Sequence, residues 1–151
     1  MLVAVAAAAA GGCGYESQGE SGGKPLALTT FTVTADMVRN VAGNRVEVAS
    51  ITKPGAEIHG YEPTPSDLKR GARADIVFDN GMGLERWFDQ FIDEADAPRV
   101  TLSTGVRSIP IAGASDYEGK PNPHAWMSPA NARVYVENIR KGLTRLDPAG
   151  A

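Results

Sequence analysis

The stretch PGAEIHGYEPTPSD, residues 54–67, decides how the chain folds around its first histidine. Its first two residues predict a turn, and two further prolines restrict the backbone after His59. Thr64, Pro65 and Asp67 suit the N-cap, first-turn and N3 positions of a helix. The pattern therefore predicts a rigid loop that holds His59 still and ends where a helix begins.

The only other histidine, His124, lies in NPHAWMSP, residues 122–129. It also stands between prolines, and Ser128 and Pro129 suit the cap and first residue of another helix. A neutral imidazole is a common ligand of divalent metals, and a ligand is useful only when its loop is positioned in advance. The residues alone leave two interpretations of His59 and His124 open. They are either ordinary polar loop residues or two ligands of one metal ion.

Alternation of apolar and polar residues predicts an α/β fold, with helical patterns between short strands. The predicted strands are residues 26–33, 45–51, 74–78 and 99–102. The predicted helices are residues 34–41, residues 65–73, the stretch after residue 84, and a last helix near the end of the chain. One apolar face of that last helix carries Ala132, Tyr135, Val136, Ile139, Leu143 and Leu146. We expect one lobe with a roughly four-stranded parallel sheet and helices on both faces. Ligands bind such sheets at the carboxyl ends of the strands, where both histidine loops are expected to meet.

The segment NGMGLE, residues 80–85, contains a Gly-x-Gly pattern. It lacks the third glycine of a dinucleotide fingerprint and the Gly-Lys-Ser/Thr of a phosphate loop, so it predicts a tight turn between strand and helix. Trp87 follows at helical spacing with other apolar residues and is interpreted as core. Residues 103–123 have no clear periodicity, which predicts a long irregular segment leading to His124.

Three segments carry a resemblance to a known family. PGAEIHGYEPTPSDL (54–68), ADIVFDNGMGLERWFD (74–89) and NPHAWMSPANARVYVENI (122–139) resemble, in this order, the periplasmic or surface substrate-binding proteins of metal-ion ABC transporters, the manganese, zinc and iron importing group. The resemblance runs from about residue 26 to about residue 146. Agreement of three separate segments in order is more specific than any one of them.

The resemblance implies a fold of two lobes joined by a long helix, with the metal between them. His59 and His124 match the two metal ligands of the N-terminal lobe, while the second lobe's ligands have no counterpart. We therefore expect a fragment, half of a two-lobe protein: residues 26–128 as the N-terminal metal-binding lobe and residues 129–151 as a helix that starts the inter-lobe connection. Residues 103–123 lack the histidine-rich insertion of many zinc-importing relatives, which favours Mn²⁺ or Fe²⁺ as the transported ligand over Zn²⁺.

The function that the resemblance implies is capture of the metal outside the cytoplasm and its delivery to an ABC transporter permease in the membrane. The protein would be a monomer and not an enzyme. One alternative is a surface adhesin or interaction lipoprotein. Another is a metallohydrolase, which would need a water-activating ion and a general base, and no HExxH helix is present.

Composition and charge are those of a globular domain. The 151 residues are 42% hydrophobic and 22% charged, long enough for one core and short for two. The net charge is −3, and no run of Lys or Arg forms a basic stripe. Nucleic acid is therefore not an expected partner.

The single cysteine, Cys13, follows an apolar run and two glycines. Residues 1–13 are interpreted as a lipoprotein-type signal peptide, with Cys13 as the lipid attachment site and residues 14–25 as a flexible tether. No basic residue precedes the run, and Ala10 stands where that pattern usually has leucine, so we expect the translation start to lie upstream. This interpretation predicts a lipid anchor at the cell surface or in the periplasm. The alternative is a frayed alanine-rich terminus with an incidental thiol.

Overall fold

A computed structural model describes residues 23–92, 96–113 and 116–150, without the side chains of residues 90–92. The predicted signal peptide, Cys13 and most of the tether lie outside the described residues, so those expectations stay predictions. Within the described part of the chain, no helix is both long and apolar enough to cross a bilayer.

Four parallel strands form one sheet in the order β2-β1-β3-β4. The strands are β1 (Leu26–Thr29), β2 (Glu47–Ser50), β3 (Ile76–Asp79) and β4 (Arg99–Thr101). The helices are α1 (Thr32–Ala42), α2 (Pro65–Gly71), α3 (Arg86–Ile92) and α4 (Pro129–Leu146), with short 3-10 turns at Ala125–Met127 and Pro148–Gly150. The predicted fold class and the roughly four-stranded parallel sheet are confirmed.

The core lies on both faces of the sheet because neighbouring residues of a strand point to opposite sides. Phe78 packs with Tyr135 and Ile139 of α4 on one face. Val77 packs with Phe88 of α3 on the other. The helices therefore cover both faces, as predicted.

The first strand and helix differ from their predicted bounds. The strand ends at Thr29, and α1 begins at Thr32 rather than at Thr34. Buried Phe31 takes the N-cap position with an extended backbone, φ −146°, and its carbonyl accepts the Ala35 amide at 3.0 Å. The Thr34 hydroxyl donates to the Phe31 carbonyl at 2.8 Å from inside the first turn, so it does not cap the helix. Burial of Phe31 outweighed the local preference for a threonine cap.

The last helix also corrects two expectations. Ser128 occupies the N-cap position of α4, but its side chain makes no capping hydrogen bond. Val136, predicted on the buried face, is 43% exposed, whereas Gly142 is buried. Tyr135, Ile139 and Leu143 are buried as predicted, and Gly142 joins them on the buried face in place of Val136.

The described part of residues 103–123 has no helix or strand, as predicted, but it contains one local pairing. The Ile111 amide donates to the Lys120 carbonyl at 2.9 Å, and the Asn122 amide donates to the Ile109 carbonyl at 2.8 Å. An antiparallel bridge joins Pro110 and Pro121 between them. Residues 109–111 thus pair with residues 120–122, and this paired arm leads directly into His124.

Candidate metal centre

The loop that carries His59 follows β2 and is held by two hydrogen bonds. Trp87 Nε1 donates to the Ile58 carbonyl at 2.7 Å, and Glu57 Oε1 accepts the His59 amide at 2.9 Å. The loop ends where α2 starts. Trp87 was predicted to be core, and it does pack there, half-buried against Tyr61 and Phe88. Its hydrogen bond to the histidine loop was not predicted.

A capping box closes this loop, as predicted. The Asp67 amide donates to Thr64 Oγ1 at 3.3 Å, and Asp67 Oδ2 accepts the Thr64 amide at 2.8 Å. Asp67 also accepts from the Tyr61 hydroxyl and pairs with Arg70 at 2.7 Å. Burial alone would raise the pKa of Asp67, but the hydrogen bonds from Thr64 and Tyr61, together with the charge of Arg70, bring that pKa below its ordinary value. The buried carboxyl therefore stays ionised and holds the end of the loop.

Asn80 holds the loop that carries His124. Its side-chain nitrogen donates to the Pro123 carbonyl at 2.9 Å. Its side-chain oxygen accepts the Tyr135 hydroxyl at 2.6 Å, so the amide orientation is defined. Asn80 and Tyr135 are both fully buried, and Pro123 is buried with them. The backbone immediately before His124 is therefore tied to the end of β3 and to α4.

Glu85 supports the turn that begins at Asn80. Its carboxylate accepts the Thr30 hydroxyl and the Asn80 amide at 2.7 Å each, and the Gly81 amide at 3.2 Å. Only 4% of Glu85 is exposed, and burial raises its pKa to about 7. The carboxyl is enclosed by protein donors, which indicates a structural role rather than a ligand role.

The NGMGLE segment makes the tight turn that its glycines predicted. Gly81, Met82 and Gly83 have φ of 80°, 55° and 76° in succession. A Cβ at Gly81 would overlap the Thr101 side chain, so glycine is needed there both for conformation and for space.

Asn122 orients the His124 ring. Its side-chain oxygen lies 3.0 Å from His124 Nδ1 and also accepts the His124 amide at 3.0 Å. A carbonyl oxygen only accepts, so Nδ1 carries the proton and Nε2 presents its lone pair. A hydrogen-bonded second ring nitrogen is the usual arrangement of metal-ligating histidines. Sequence reasoning missed Asn122, although an asparagine two residues before the group it binds is a known turn signal.

The structure brings the two predicted ligands together at the carboxyl edge of the sheet. The ring centroids of His59 and His124 are 5.3 Å apart with an interplanar angle of 59°. Both side chains are exposed, and the ring centroids of His124 and Trp126 are also 5.3 Å apart. Among the described residues, no third His, Cys, Asp or Glu joins them in a group that could hold a metal. Glu57 and Glu62 of the same loop are exposed.

A cavity of about 570 Å³ opens beside the two histidines. Arg86 and Lys120 line it with apolar side chains, and none of its described lining residues carries a carboxylate. The Lys120 ammonium lies 5.0 Å above the Tyr117 ring and donates to the Asp116 carbonyl. The cavity therefore supplies nitrogen ligands and positive charge, and any anionic ligand of a bound cation would come from elsewhere.

A four-stranded parallel lobe with two converging histidines at its carboxyl edge has the architecture of one half of a metal substrate-binding protein. The chain belongs to the family described as "Zinc-uptake complex component A periplasmic" (ZnuA), which matches residues 28–151. This membership confirms the resemblance carried by the three segments.

The relatives are metal-binding proteins about twice as long. The iron-binding protein YfeA of Yersinia pestis is 50% identical over 125 residues, covering 82% of this chain and 40% of that protein. The manganese-binding lipoprotein MntA of Halalkalibacterium halodurans is 36% identical over 153 residues, covering 99% of this chain and 50% of that protein. The chain thus spans half or less of their length, and both are named as metal-binding proteins rather than as enzymes.

A solved structure shows the same lobe. The Mn-bound periplasmic metal-binding protein from Candidatus Liberibacter asiaticus superimposes with a TM-score of 0.77 at 35% identity. The match covers 85% of this chain and 48% of that chain. This lobe therefore accounts for about half of that fold.

Proposed function

We propose that this chain is the N-terminal lobe of an extracytoplasmic solute-binding protein that captures a divalent transition metal through His59 and His124. The bound metal would pass to an ABC permease in the membrane. The observation that carries this proposal is the 5.3 Å separation of the two rings, each held on a loop that is hydrogen-bonded to the rest of the lobe. Family membership supports it, because the relatives named above are metal-binding proteins.

The ring spacing suits shared coordination of one ion. With metal to nitrogen bonds of about 2.1 Å and ring nitrogens about 1.1 Å from the ring centre, two imidazoles at a tetrahedral angle have centroids about 5.2 Å apart. At a right angle the same bonds place them about 4.5 Å apart. The observed 5.3 Å is close to the first value, so the separation of the two ring centres suits coordination of one ion.

The proposed cargo is Mn²⁺ or Fe²⁺ rather than Zn²⁺. Two imidazoles completed by carboxylate oxygens suit manganese and ferrous iron, whereas a third imidazole favours zinc. The described lining of the cavity offers two cations and no carboxylate, so the remaining ligands would be anionic groups from outside the described residues. YfeA is named as iron-binding and MntA as manganese-binding, which supports this preference.

The proposed location is the outer side of a membrane, with the lipid on Cys13 as the anchor and residues 14–25 as the tether. MntA is named as a lipoprotein, which supports this arrangement. We propose that the protein acts as a monomer beside its permease. A Cys13→Ser variant should leave the membrane fraction when it is expressed with its native upstream start.

Calorimetric titration with Mn²⁺ and Zn²⁺ at neutral pH tests the metal site. We expect weak binding by this chain, because two protein ligands leave the other positions to water. The His59→Ala, His124→Ala double variant should abolish it, and Glu62→Gln, an exposed change in the same loop, should not. Submicromolar binding that survives the double change would show that the metal lies elsewhere.

A further inference from the structure

One short segment, residues 80–87, braces both histidine loops by the same kind of hydrogen bond, from a side-chain N–H to a backbone carbonyl. Asn80 Nδ2 donates to the carbonyl of Pro123, the residue before His124. Trp87 Nε1 donates to the carbonyl of Ile58, the residue before His59. We propose that Asn80 and Trp87 are positioning residues that set the distance between the two rings before any ion arrives. As far as the rings act as metal ligands, this inference rests on the function proposed above.

The Asn80 contact is rigid because its side chain is fixed at both ends. The amide nitrogen donates to Pro123 and to the Gly81 carbonyl at 2.9 Å each, and the amide oxygen accepts the Tyr135 hydroxyl. The side chain is fully buried, where an unsatisfied polar group costs about 1 to 3 kcal/mol. Rotation of Asn80 would break these bonds together, so Pro123 is held in one place.

The Trp87 contact depends on packing. The indole lies between Tyr61, at a centroid distance of 5.0 Å, and Phe88, at 5.4 Å. These neighbours fix the ring plane and therefore the direction of its single N–H donor. The Ile58 carbonyl at 2.7 Å is the acceptor that this donor reaches.

The segment between the two donors has little freedom. Glu85 accepts hydrogen bonds from the backbone amides of Asn80 and Gly81 and from the hydroxyl of Thr30, which directly follows β1. The tight turn at residues 81–83 allows no side chain at Gly81. The two donors therefore keep a constant separation. Both histidine loops are hydrogen-bonded to the same eight residues, 80–87.

This bracing favours metal binding because it reduces the conformational entropy that the two loops lose when an ion binds. Flexible loops lose conformational freedom when a ligand fixes them, and a site that is ordered in advance avoids most of this cost. Loss of either brace should therefore weaken binding without removing a ligand. Loss of an outer partner typically weakens metal affinity by about 10- to 100-fold.

Two variants and one matched control test the proposal. Asn80→Ala removes one brace, and Trp87→Phe removes the other donor while keeping an aromatic ring in the core. Asn138→Ala is the control, since Asn138 makes the same kind of bond, from its amide to the Leu102 and Thr104 carbonyls at 2.8 and 2.9 Å, but these acceptors lie about 20 residues before His124 and neither is next to a histidine. The readouts are the nuclear Overhauser effect between the two histidine rings in the metal-free protein and the Kd for Mn²⁺.

In both variants we expect the nuclear Overhauser effect between the rings to weaken or vanish and the Kd for Mn²⁺ to rise about 10- to 100-fold. In the control, we expect the nuclear Overhauser effect and the Kd to be unchanged. If Asn80→Ala does not fold, Trp87→Phe decides alone. A folded variant that keeps the full signal and the native Kd would overturn the proposal. A native chain that shows the signal but binds no metal would contradict the proposed function and leave the positioning role standing.

Discussion

Gly142 of α4 lies directly against the ring of Phe78 on β3. A Cβ at position 142 would come within 2.7 Å of Phe78 Cε1 and 3.2 Å of Val100 Cγ2. The helix therefore rests on the sheet at a distance that only glycine allows. Tyr135 lies two turns earlier on the same buried face, so this spacing also places its hydroxyl against Asn80.

Gly142→Ala should destabilise the protein. Alanine gains about 1 kcal/mol over glycine in a helix interior, but forced overpacking costs about 1 to 3 kcal/mol, so we expect a net loss of about 1 kcal/mol. Urea unfolding measures it. Combination with Phe78→Leu should recover part of the loss through coupling of the two sites. A stabilised single variant would show that the interface can move apart.

Asp67→Asn should cost about 2 kcal/mol at neutral pH, because hydrogen bonds to a charged group are among the stronger ones. Since the pKa of Asp67 is lowered, its contribution is present above the ordinary value of 3.8 and is lost as the pH falls through the lower value in the folded state. The difference from the native chain should therefore shrink in acid. Glu62→Gln makes the same change on an exposed residue of the loop and should have no effect. Equal losses from both would exclude a special role for Asp67.

Glu85→Gln should change how stability depends on pH. The pKa of Glu85 is raised from 4.5 to about 7 by burial, so the folded state holds this proton more tightly than the unfolded chain does. Its stabilisation is complete below pH 4.5 and is lost as the pH rises through 7. The native chain should lose about 3 kcal/mol relative to the variant over that window. Unfolding free energies measured at each pH test this, and parallel curves for the two proteins would contradict it.

Asn122→Ala should weaken Mn²⁺ binding about tenfold, because the His124 ring loses the partner that fixes its tautomer. Nitrogen-15 NMR of the ring should show a mixture of the two neutral tautomers in place of one. Asn40→Ala, which removes an asparagine from the exposed side of α1, is the control and should leave both measurements unchanged. A variant with one tautomer and native affinity would assign the orientation of His124 to other contacts.

The sequence predicted the features that local chemistry encodes. The capping box at Thr64 and Asp67, the glycine turn after β3 and the alternation of strands and helices all follow from neighbouring residues. The meeting of His59 with His124 followed from a general rule, since loops after parallel strands share one edge. These predictions needed no knowledge of tertiary contacts.

Contacts between distant residues were not predictable in the same way. Asn80 reads as a turn residue, and its bonds to Pro123 and Tyr135 span 43 and 55 positions of sequence. The start of α1 was misplaced because Phe31 is buried by Trp126, at a ring distance of 4.9 Å, rather than by its neighbours. Single-sequence periodicity records which residues are apolar, but not which partners bury them.

The strand order explains why the connections to the two histidines are long. The His59 loop leaves β2 and the His124 arm leaves β4, which are the outer strands of the sheet. Three strand spacings of about 4.8 Å separate these strands by about 14 Å, yet the rings meet at 5.3 Å. Each connection must therefore reach inward over the ends of β1 and β3. An ion held between the rings would join the two margins of the sheet, so its capture should stiffen the twist of the whole lobe.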